Sequence, residues 1–339
     1  MNISQANLDS IDSKASPLIV TKVQQLSASE AKSIYLPNTN CVIKSQIPLA
    51  TLTSFRVGGP AQWYVAPRNL AELQASFAWA NAEGLAVTLL GAGSNLLVSD
   101  RGISGLVIGT RHLRHTEFNF MTGQVTVAAG EPLPRLAWQA AERGWQGLEW
   151  AVGIPGSVGG AVVMNAGAHK SCIADILVSA QVLSPNGEVE TLAPEQLEYR
   201  YRTSVLQANI AAGLGKPLRL VTQATFQLQP GADPEQVLAT TSQHLEQRRT
   251  SQPYHLPSCG SVFRNPLPYT AGWLIEQTGL KGYKIGGAQI AERHANFILN
   301  CGGAKASDIL QLVNHIQDQV QQHWSILLEP EVKILGEFD

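Results

Sequence analysis

The sequence predicts an α+β protein with more than one domain. Three observations carry this. Strand-like and helix-like segments alternate between residues 63 and 108, a hairpin signal stands at Pro185-Asn186-Gly187, and the pattern turns helix-rich after Pro230-Gly231. At 339 residues the chain has room for about two or three domains with ample core.

Residues 1–40 are polar, rich in Ser, Gln and Asn, and are expected to form a poorly ordered extension. The globular part is expected to start at Cys41-Val42-Ile43. Trp63-Tyr64-Val65-Ala66 reads as a strand. A helix follows, with Asn69 as N-cap, Leu70, Leu73 and Phe77 on one face, and Gly84 just past its end. Residues 85–90 read as a buried strand, and residues 106–108 and 125–127 as further strands. Residues 133–143 form a helix stopped by Gly144. The runs 176–183 and 188–192 flank the hairpin turn. Residues 218–228 make a long strand. Asp233-Pro234-Glu235 opens a helix with an N-cap, a proline at the first position and an early acid. Helices at 272–277 and 307–323 alternate with strands at 296–299 and 326–335. These patterns divide the chain into an extension (1–40), a first domain (41–229) and a second (230–339).

Composition excludes several classes. The net charge of -2 lacks the basic surplus of a nucleic-acid binder. No apolar run is long enough to span a bilayer, and no secretory signal pattern opens the chain. Cys41, Cys172, Cys259 and Cys301 lie far apart, without zinc-ligand spacing. They read as reduced thiols of a cytoplasmic protein, with no metal site. The cluster from Arg111 to His115 reads as a solvated loop.

Two glycine loops stand out. Gly153-Ile154-Pro155-Gly156-Ser157-Val158-Gly159-Gly160 runs into a stretch of small residues ending at Ala168. Glycine weakens helices, so the run is expected to be non-helical and to offer bare N–H groups to an anionic ligand. Upstream, Gly91-Ala92-Gly93-Ser94-Asn95 follows a strand. It begins like a dinucleotide fingerprint, but Leu96 stands at the third glycine position and the following run is strand-like. That argues against a Rossmann site. Two donor-rich loops in one domain suit a long ligand with a pyrophosphate, such as a flavin dinucleotide.

These loops belong to an ordered set: Thr53-Ser54-Phe55-Arg56-Val57-Gly58-Gly59, Leu90-Gly91-Ala92-Gly93-Ser94-Asn95, the Gly153 loop, Asn165-Ala166-Gly167-Ala168, Tyr201-Arg202-Thr203-Ser204, Ser258-Cys259-Gly260-Ser261-Val262-Phe263-Arg264-Asn265-Pro266, His294-Ala295-Asn296-Phe297 and Leu328-Glu329-Pro330-Glu331-Val332. Taken in this order from about residue 41 onward, the set resembles the MurB family, the UDP-N-acetylenolpyruvoylglucosamine reductases of peptidoglycan precursor synthesis. The resemblance implies a two-subdomain FAD-binding fold of the vanillyl-alcohol oxidase type, followed by a C-terminal α+β substrate domain. It implies the shorter family type, without a closing tyrosine loop.

It also implies FAD and NADPH as cofactors, small-molecule partners only, and reduction of an enol ether to a lactyl ether. By motif, Gly91, Gly93, Ser94, Asn95, Gly153, Gly156, Ser157, Gly159 and Gly160 are expected to contact FAD, and more loosely Asn165 and Gly167. Arg202 matches the arginine that pairs with the substrate carboxylate, Glu331 the acid beside it, and Ser261 the proton donor. Sequence physics alone leaves Glu329 and Glu331 equivalent, and leaves Cys259 as a second possible donor. Tyr201 and Asn265 match positions that contact the nucleotide sugar. Arg248 and Gln252 are expected at the diphosphate on grounds of charge and place. An oxidase of the same fold and a catalytically silent nucleotide-sugar binder are the competing readings.

Overall fold

The structure, a computed structural model, describes residues 32–209 and 218–338. The chain opens with β1 (Ser33–Tyr35), β2 (Val42–Pro48), β3 (Pro60–Val65), α1 (Leu70–Ala82), β4 (Val87–Leu90), β5 (Leu96–Val98) and β6 (Ile103–Gly109). Five of these strands form a sheet in the order β1-β2-β3-β6-β4, and β5 lies outside it. The globular part thus begins inside the segment expected to be an extension. Ser33–Tyr35 pairs antiparallel with β2, and residues 1–31 lie outside the described residues.

The expected helix is α1. The Asn69 side chain accepts from the Glu72 amide at 2.9 Å, a cap worth about 1 kcal/mol. Leu73, Phe77 and Ala80 are fully buried on its inner face, while Leu70 at the open end is exposed. Gly84 follows with φ of 62°, a left-handed value that glycine adopts without a Cβ penalty. The expected buried strand at 85–90 is shorter and only Leu90 is buried. The reason is position: β4 is the edge strand of its sheet.

A second unit follows: β7 (Thr116–Asn119), β8 (Gln124–Ala128), α2 (Leu133–Ala141), α3 (Val158–Met164), the small hairpin β9 (Gly167–Ala168) and β10 (Ser171–Cys172), then β11 (Leu177–Leu183), β12 (Val189–Leu192) and β13 (Leu220–Gln227). Its sheet runs β12-β11-β13-β8-β7, and all its pairs are antiparallel. The hairpin at Pro185-Asn186-Gly187 is present, with Gly187 at φ of 86°. Trp145, Phe226 and Val158 are among the residues filling the core between this sheet and its helices.

The last third contains α4 (Pro234–Ser251), α5 (Ala271–Gln277), β14 (Lys284–Ile285), β15 (Ala288–Ile290), β16 (Ile298–Asn300), α6 (Ala306–Trp324) and β17 (Lys333–Leu335). The Asp233 side chain caps α4 by accepting from the Glu235 amide at 3.0 Å. This helix follows the composition shift, yet it packs on α2, and its Leu245 lies against the second unit's core. The strand expected at 326–335 shrinks to β17. Pro330 has no N–H to donate to a ladder and makes only an isolated bridge to Phe263. β17 then pairs in parallel with β5, joining the end of the chain to its first glycine loop.

A further sequence expectation is overturned. The glycine-rich run is helical at its centre, as α3. Its helix is short and sustained by tertiary contact rather than propensity. Ser157 caps it, and the Val158 and Gly159 amides donate to the Glu131 and Ala129 carbonyls, both at 2.8 Å. Val158 and Val162 are fully buried beneath it. The helix needs its glycine because it lies on the sheet's loop. A Cβ on Gly159 would come within 2.8 Å of the Ala129 Cβ. Gly159→Val should therefore lower stability by about 1–3 kcal/mol, the usual range for overpacking. Urea unfolding of the two proteins checks this, and an unchanged midpoint would refute the close approach.

Candidate active site

A cavity of about 570 Å³ lies where the two glycine loops, α3, the last turn of α4, the Ser261 loop and the start of β17 converge. Its charged lining is mostly basic: Arg202, Arg219, Arg248 and Lys333, with Glu331 as its acidic residue. Such a lining favours anionic ligands.

The first loop, Gly91 to Asn95, joins β4 to β5. The amides of Gly91, Ala92, Gly93, Ser94 and Asn95 donate to no acceptor among the described residues. Gly93 adopts φ of 70° and Gly156 of the second loop φ of 146°. The loops are tied together by the Ser94 hydroxyl, which donates to the Pro155 carbonyl at 2.9 Å. A Cβ on Gly91 would stand 2.9 Å from the Ser157 Oγ, so only glycine keeps this gap open. Gly91, Gly93, Ser94 and Asn95 line the cationic cavity while Ala92 is exposed outside it, and unpaired amides on such a wall form an anion nest. The residues therefore fit the pyrophosphate of FAD.

The α3 amides do not share that role. The first two are taken by Glu131 and Ala129, and the Gly160 amide meets the Ser157 Oγ at 3.4 Å. Gly159 and Gly160 line the cavity as surface without bulk, not as donors. Two expected contacts lie outside the lining. The Asn165 side chain is buried: it donates to the Arg200 carbonyl at 3.1 Å and accepts from the Ala174 amide at 3.0 Å. At φ of 44° Asn165 also ends α3, a conformation asparagine tolerates better than most residues. Gly153 instead makes room for the Arg248 stem, whose Cδ and Nε occupy the space of a Cβ. All other expected site residues line the cavity.

The catalytic candidates come from three distant segments. Arg202 sits on a turn hung from the open end of α3. The Tyr199 and Ser204 hydroxyls donate to the Val162 and Val163 carbonyls of the helix's last turn at 3.0 and 2.6 Å, where a helix end is short of donors. Arg202 itself has φ of 56°, a left-handed conformation costing a side-chain-bearing residue about 1 kcal/mol or more. Its Nε donates to the Glu331 Oε1 at 3.1 Å and its Nη2 to the Gly167 carbonyl at 2.7 Å. Nη1 carries no partner among the described residues. Glu331 is oriented by its own amide, which donates to the Val262 carbonyl at 2.7 Å. Burial pushes its carboxyl above the usual range, and Arg202, Arg264 and Lys333 partly oppose that shift. Glu329, by contrast, points outward and is 68% exposed. The structure thus separates the two glutamates that sequence physics left equivalent.

Ser261 is half-buried on the cavity wall, and its hydroxyl has no partner among the described residues. Gly260 before it adopts φ of 74°. The loop is clamped by Asn296, whose side chain accepts from the Phe263 amide at 2.9 Å and donates to the Phe263 carbonyl at 2.8 Å. This gives the His294-Ala295-Asn296 segment its role, which is support. Cys259 also lines the cavity, but its thiol donates to the Leu96 carbonyl at 3.3 Å and burial pushes it up to about 12. Its proton is committed, and that of Ser261 is not.

Tyr201 and Asn265 lie exposed at the rim. The Tyr201 ring carries the Arg202 guanidinium at 5.0 Å, and the Asn265 Oδ1 accepts from the Ala271 amide at 2.9 Å. Arg248 donates to the Gln252 Oε1 at 3.2 Å, while its Nε is buried without an acceptor. Lys333, Arg219 and His169 line the cavity unpredicted. Lys333 had a legible signal: it stands two residues after Glu331, the period of a strand face.

The raised carboxyl has a stability consequence. The unfolded chain gives up the Glu331 proton at an ordinary carboxylate pH, and the folded chain only at a higher pH. Ionising Glu331 therefore destabilises the fold as pH rises through that window. Glu331→Gln should match wild type in stability at acid pH and exceed it above the window. Urea midpoints of both proteins across that pH range check the sign, and a relative gain by wild type as pH rises would contradict it.

Known proteins resemble this chain in sequence and fold. Residues 61–193 match the model of an FAD binding domain, and residues 252–335 match the C-terminal domain of UDP-N-acetylenolpyruvoylglucosamine reductase. The UDP-N-acetylenolpyruvoylglucosamine reductase of a Nostoc species is 70% identical over 311 residues, 92% of each chain. That of Nostoc punctiforme is 65% identical over 340 residues, covering 100% of this chain and 99% of its own. The crystal structure of the Thermus caldophilus enzyme superposes with a TM-score of 0.72 at 32% identity, over 91% of this chain and 100% of that one. With its α+β architecture, its FAD-binding domain and a cavity that fits the cofactor, the chain belongs to the UDP-N-acetylenolpyruvoylglucosamine reductase family.

Proposed function

We propose that this protein reduces UDP-N-acetylenolpyruvoylglucosamine to UDP-N-acetylmuramate with NADPH, through FAD, in peptidoglycan precursor synthesis. The observation that carries the reading is the meeting of the Arg202–Glu331 pair, the unpaired Ser261 hydroxyl and the unpaired amides of residues 91–95 on one cavity. Bound FAD would supply the relay that passes a hydride equivalent, two electrons and one proton, from NADPH to the β-carbon of the enol ether.

The chain's own residues do the rest. The amides of the Gly91–Asn95 loop would hold the pyrophosphate of FAD. Arg202, anchored through Nε and Nη2, keeps Nη1 for the substrate carboxylate, where negative charge grows as the double bond is reduced. A charge-assisted bond aimed at that oxygen stabilises the transition state more than the ground state. Glu331 holds the guanidinium edge-on and fixes its direction. Ser261 delivers the proton to the α-carbon. A hydroxyl is a weak acid, so this step relies on the strong basicity of the carbanion and on the Asn296 clamp. Tyr201 and Asn265 receive the nucleotide sugar at the rim, and Arg248 with Gln252 its diphosphate. In this assignment residues 41–229 chiefly hold FAD and residues 230–339 chiefly hold the sugar nucleotide. A cytoplasmic location belongs to the same reading, supported by four cysteines that are all free thiols.

Purified protein should be yellow, bleach with NADPH under anaerobic conditions, and regain colour with UDP-N-acetylenolpyruvoylglucosamine. Absence of flavin, or no recovery with this acceptor, would reject the function. In Ser261→Ala, bleaching by NADPH should stay near normal while recovery slows by about a hundredfold or more, the range of acid–base catalysis. Equal slowing of both halves would assign Ser261 to the fold instead.

A further inference from the structure

The three catalytic side chains come from segments far apart in sequence, and one residue outside the cavity binds all three segments. Arg264 lies three residues beyond Ser261, on the same loop. Its amide donates to the Glu329 carbonyl at 2.9 Å, and its Nη1 forms an ion pair with the Glu329 Oε1 at 3.0 Å. That fixes the strand entry which carries Glu331. Its Nη2 reaches the other way and donates to the Arg202 carbonyl at 3.3 Å. The same carbonyl accepts from the Gln207 Nε2 at 2.6 Å. The Arg264 side chain is only 18% exposed and does not line the cavity.

We propose that Arg264 is a positioning residue for the reduction half of the reaction, holding the Arg202 turn, the Glu331 strand and the Ser261 loop in one register. The inference rests on the function proposed above. Its physical basis is the left-handed backbone of Arg202. A residue with a side chain leaves that conformation unless its surroundings hold it. The carbonyl of Arg202 is the handle, and Arg264 and Gln207 are the two donors on it. A guanidinium suits the task because its planar fork reaches Glu329 with one nitrogen and Arg202 with the other. Releasing the carbonyl lets the turn relax, and the Arg202 side chain then no longer meets the substrate carboxylate in line with Glu331. A small misplacement of this kind is enough to slow a reaction by one or two orders of magnitude.

The test uses the full-length flavoprotein with Arg264→Met and Arg264→Lys. In Arg264→Met, FAD content and bleaching by NADPH should stay within twofold of wild type. Recovery with the enolpyruvyl nucleotide sugar should slow by about tenfold or more, with kcat falling by a larger factor than KM rises, because the Arg202 bond strengthens as charge grows on the carboxylate. Arg264→Lys keeps one cationic donor and should fall less. Hydrogen exchange gives a reading that needs no acceptor. The Thr203 amide, bonded to the Arg200 carbonyl at 3.0 Å, should exchange faster in Arg264→Met. Recovery within twofold of wild type, an unchanged Thr203 exchange rate, or equal slowing of both half-reactions with loss of FAD would each overturn the inference. If wild type itself shows no recovery with this acceptor, the proposed function fails, and Thr203 exchange still decides the positioning.

Discussion

The active site depends on one pairing, that of β17 with β5. The two strands lie parallel, with Lys333, Ile334 and Leu335 opposite Leu96, Leu97 and Val98. Leu97 is fully buried in the same core as Val332 and Leu328. Just ahead of the pair, the Asn95 carbonyl accepts from the Lys333 amide at 3.0 Å, and the Asn95 side chain donates to the Glu331 carbonyl at 3.1 Å. A glycine loop able to hold a pyrophosphate and an acid able to orient an arginine are therefore neighbours in one short ladder. Without it the cradle and the acid would belong to separate halves of the molecule.

The glycines serve this arrangement in two ways. At Gly91 and Gly159 they allow surfaces to approach more closely than a Cβ permits. At Gly93 and Gly156 they allow the backbone to turn through left-handed conformations. Side-chain polar groups then hold what the glycines leave loose: Ser94 joins the two loops, Asn165 ends α3, and Asn296 clamps the Ser261 loop. Each makes its bonds to backbone. A cavity lined by glycine needs such a frame because its own residues carry little packing of their own.

Elements with local signals were legible in the sequence. The caps at Asn69 and Asp233, the stop at Gly84 and the turn at Gly187 each rest on chemistry within a few residues. Most of the candidate site was legible too, but through an ordered motif set and not through residue physics. What escaped was set by tertiary context. The helix α3 contradicts its glycine content because the sheet beneath supplies the stability its sequence lacks. Gly153 and Asn165 look like ligand contacts in sequence, and are explained only by Arg248 and the Arg200 turn. The choice of Glu331 over Glu329 is one of orientation, which two residues of a shared type cannot disclose. Arg264 gives no local signal, since its partners lie far along the chain.

The Asn95–Glu331 contact spans 236 residues of sequence, and loop closure of that length favours late formation. The amides of the first loop, by contrast, are shaped by nearby segments: the Gly93 carbonyl already accepts from the Ser54 amide at 2.9 Å. The cofactor cradle can therefore be complete in a folding chain that has yet to dock its last strand. Such a chain can hold flavin while lacking the acid beside Arg202. Colour would then report the cradle, and only turnover would report the finished enzyme.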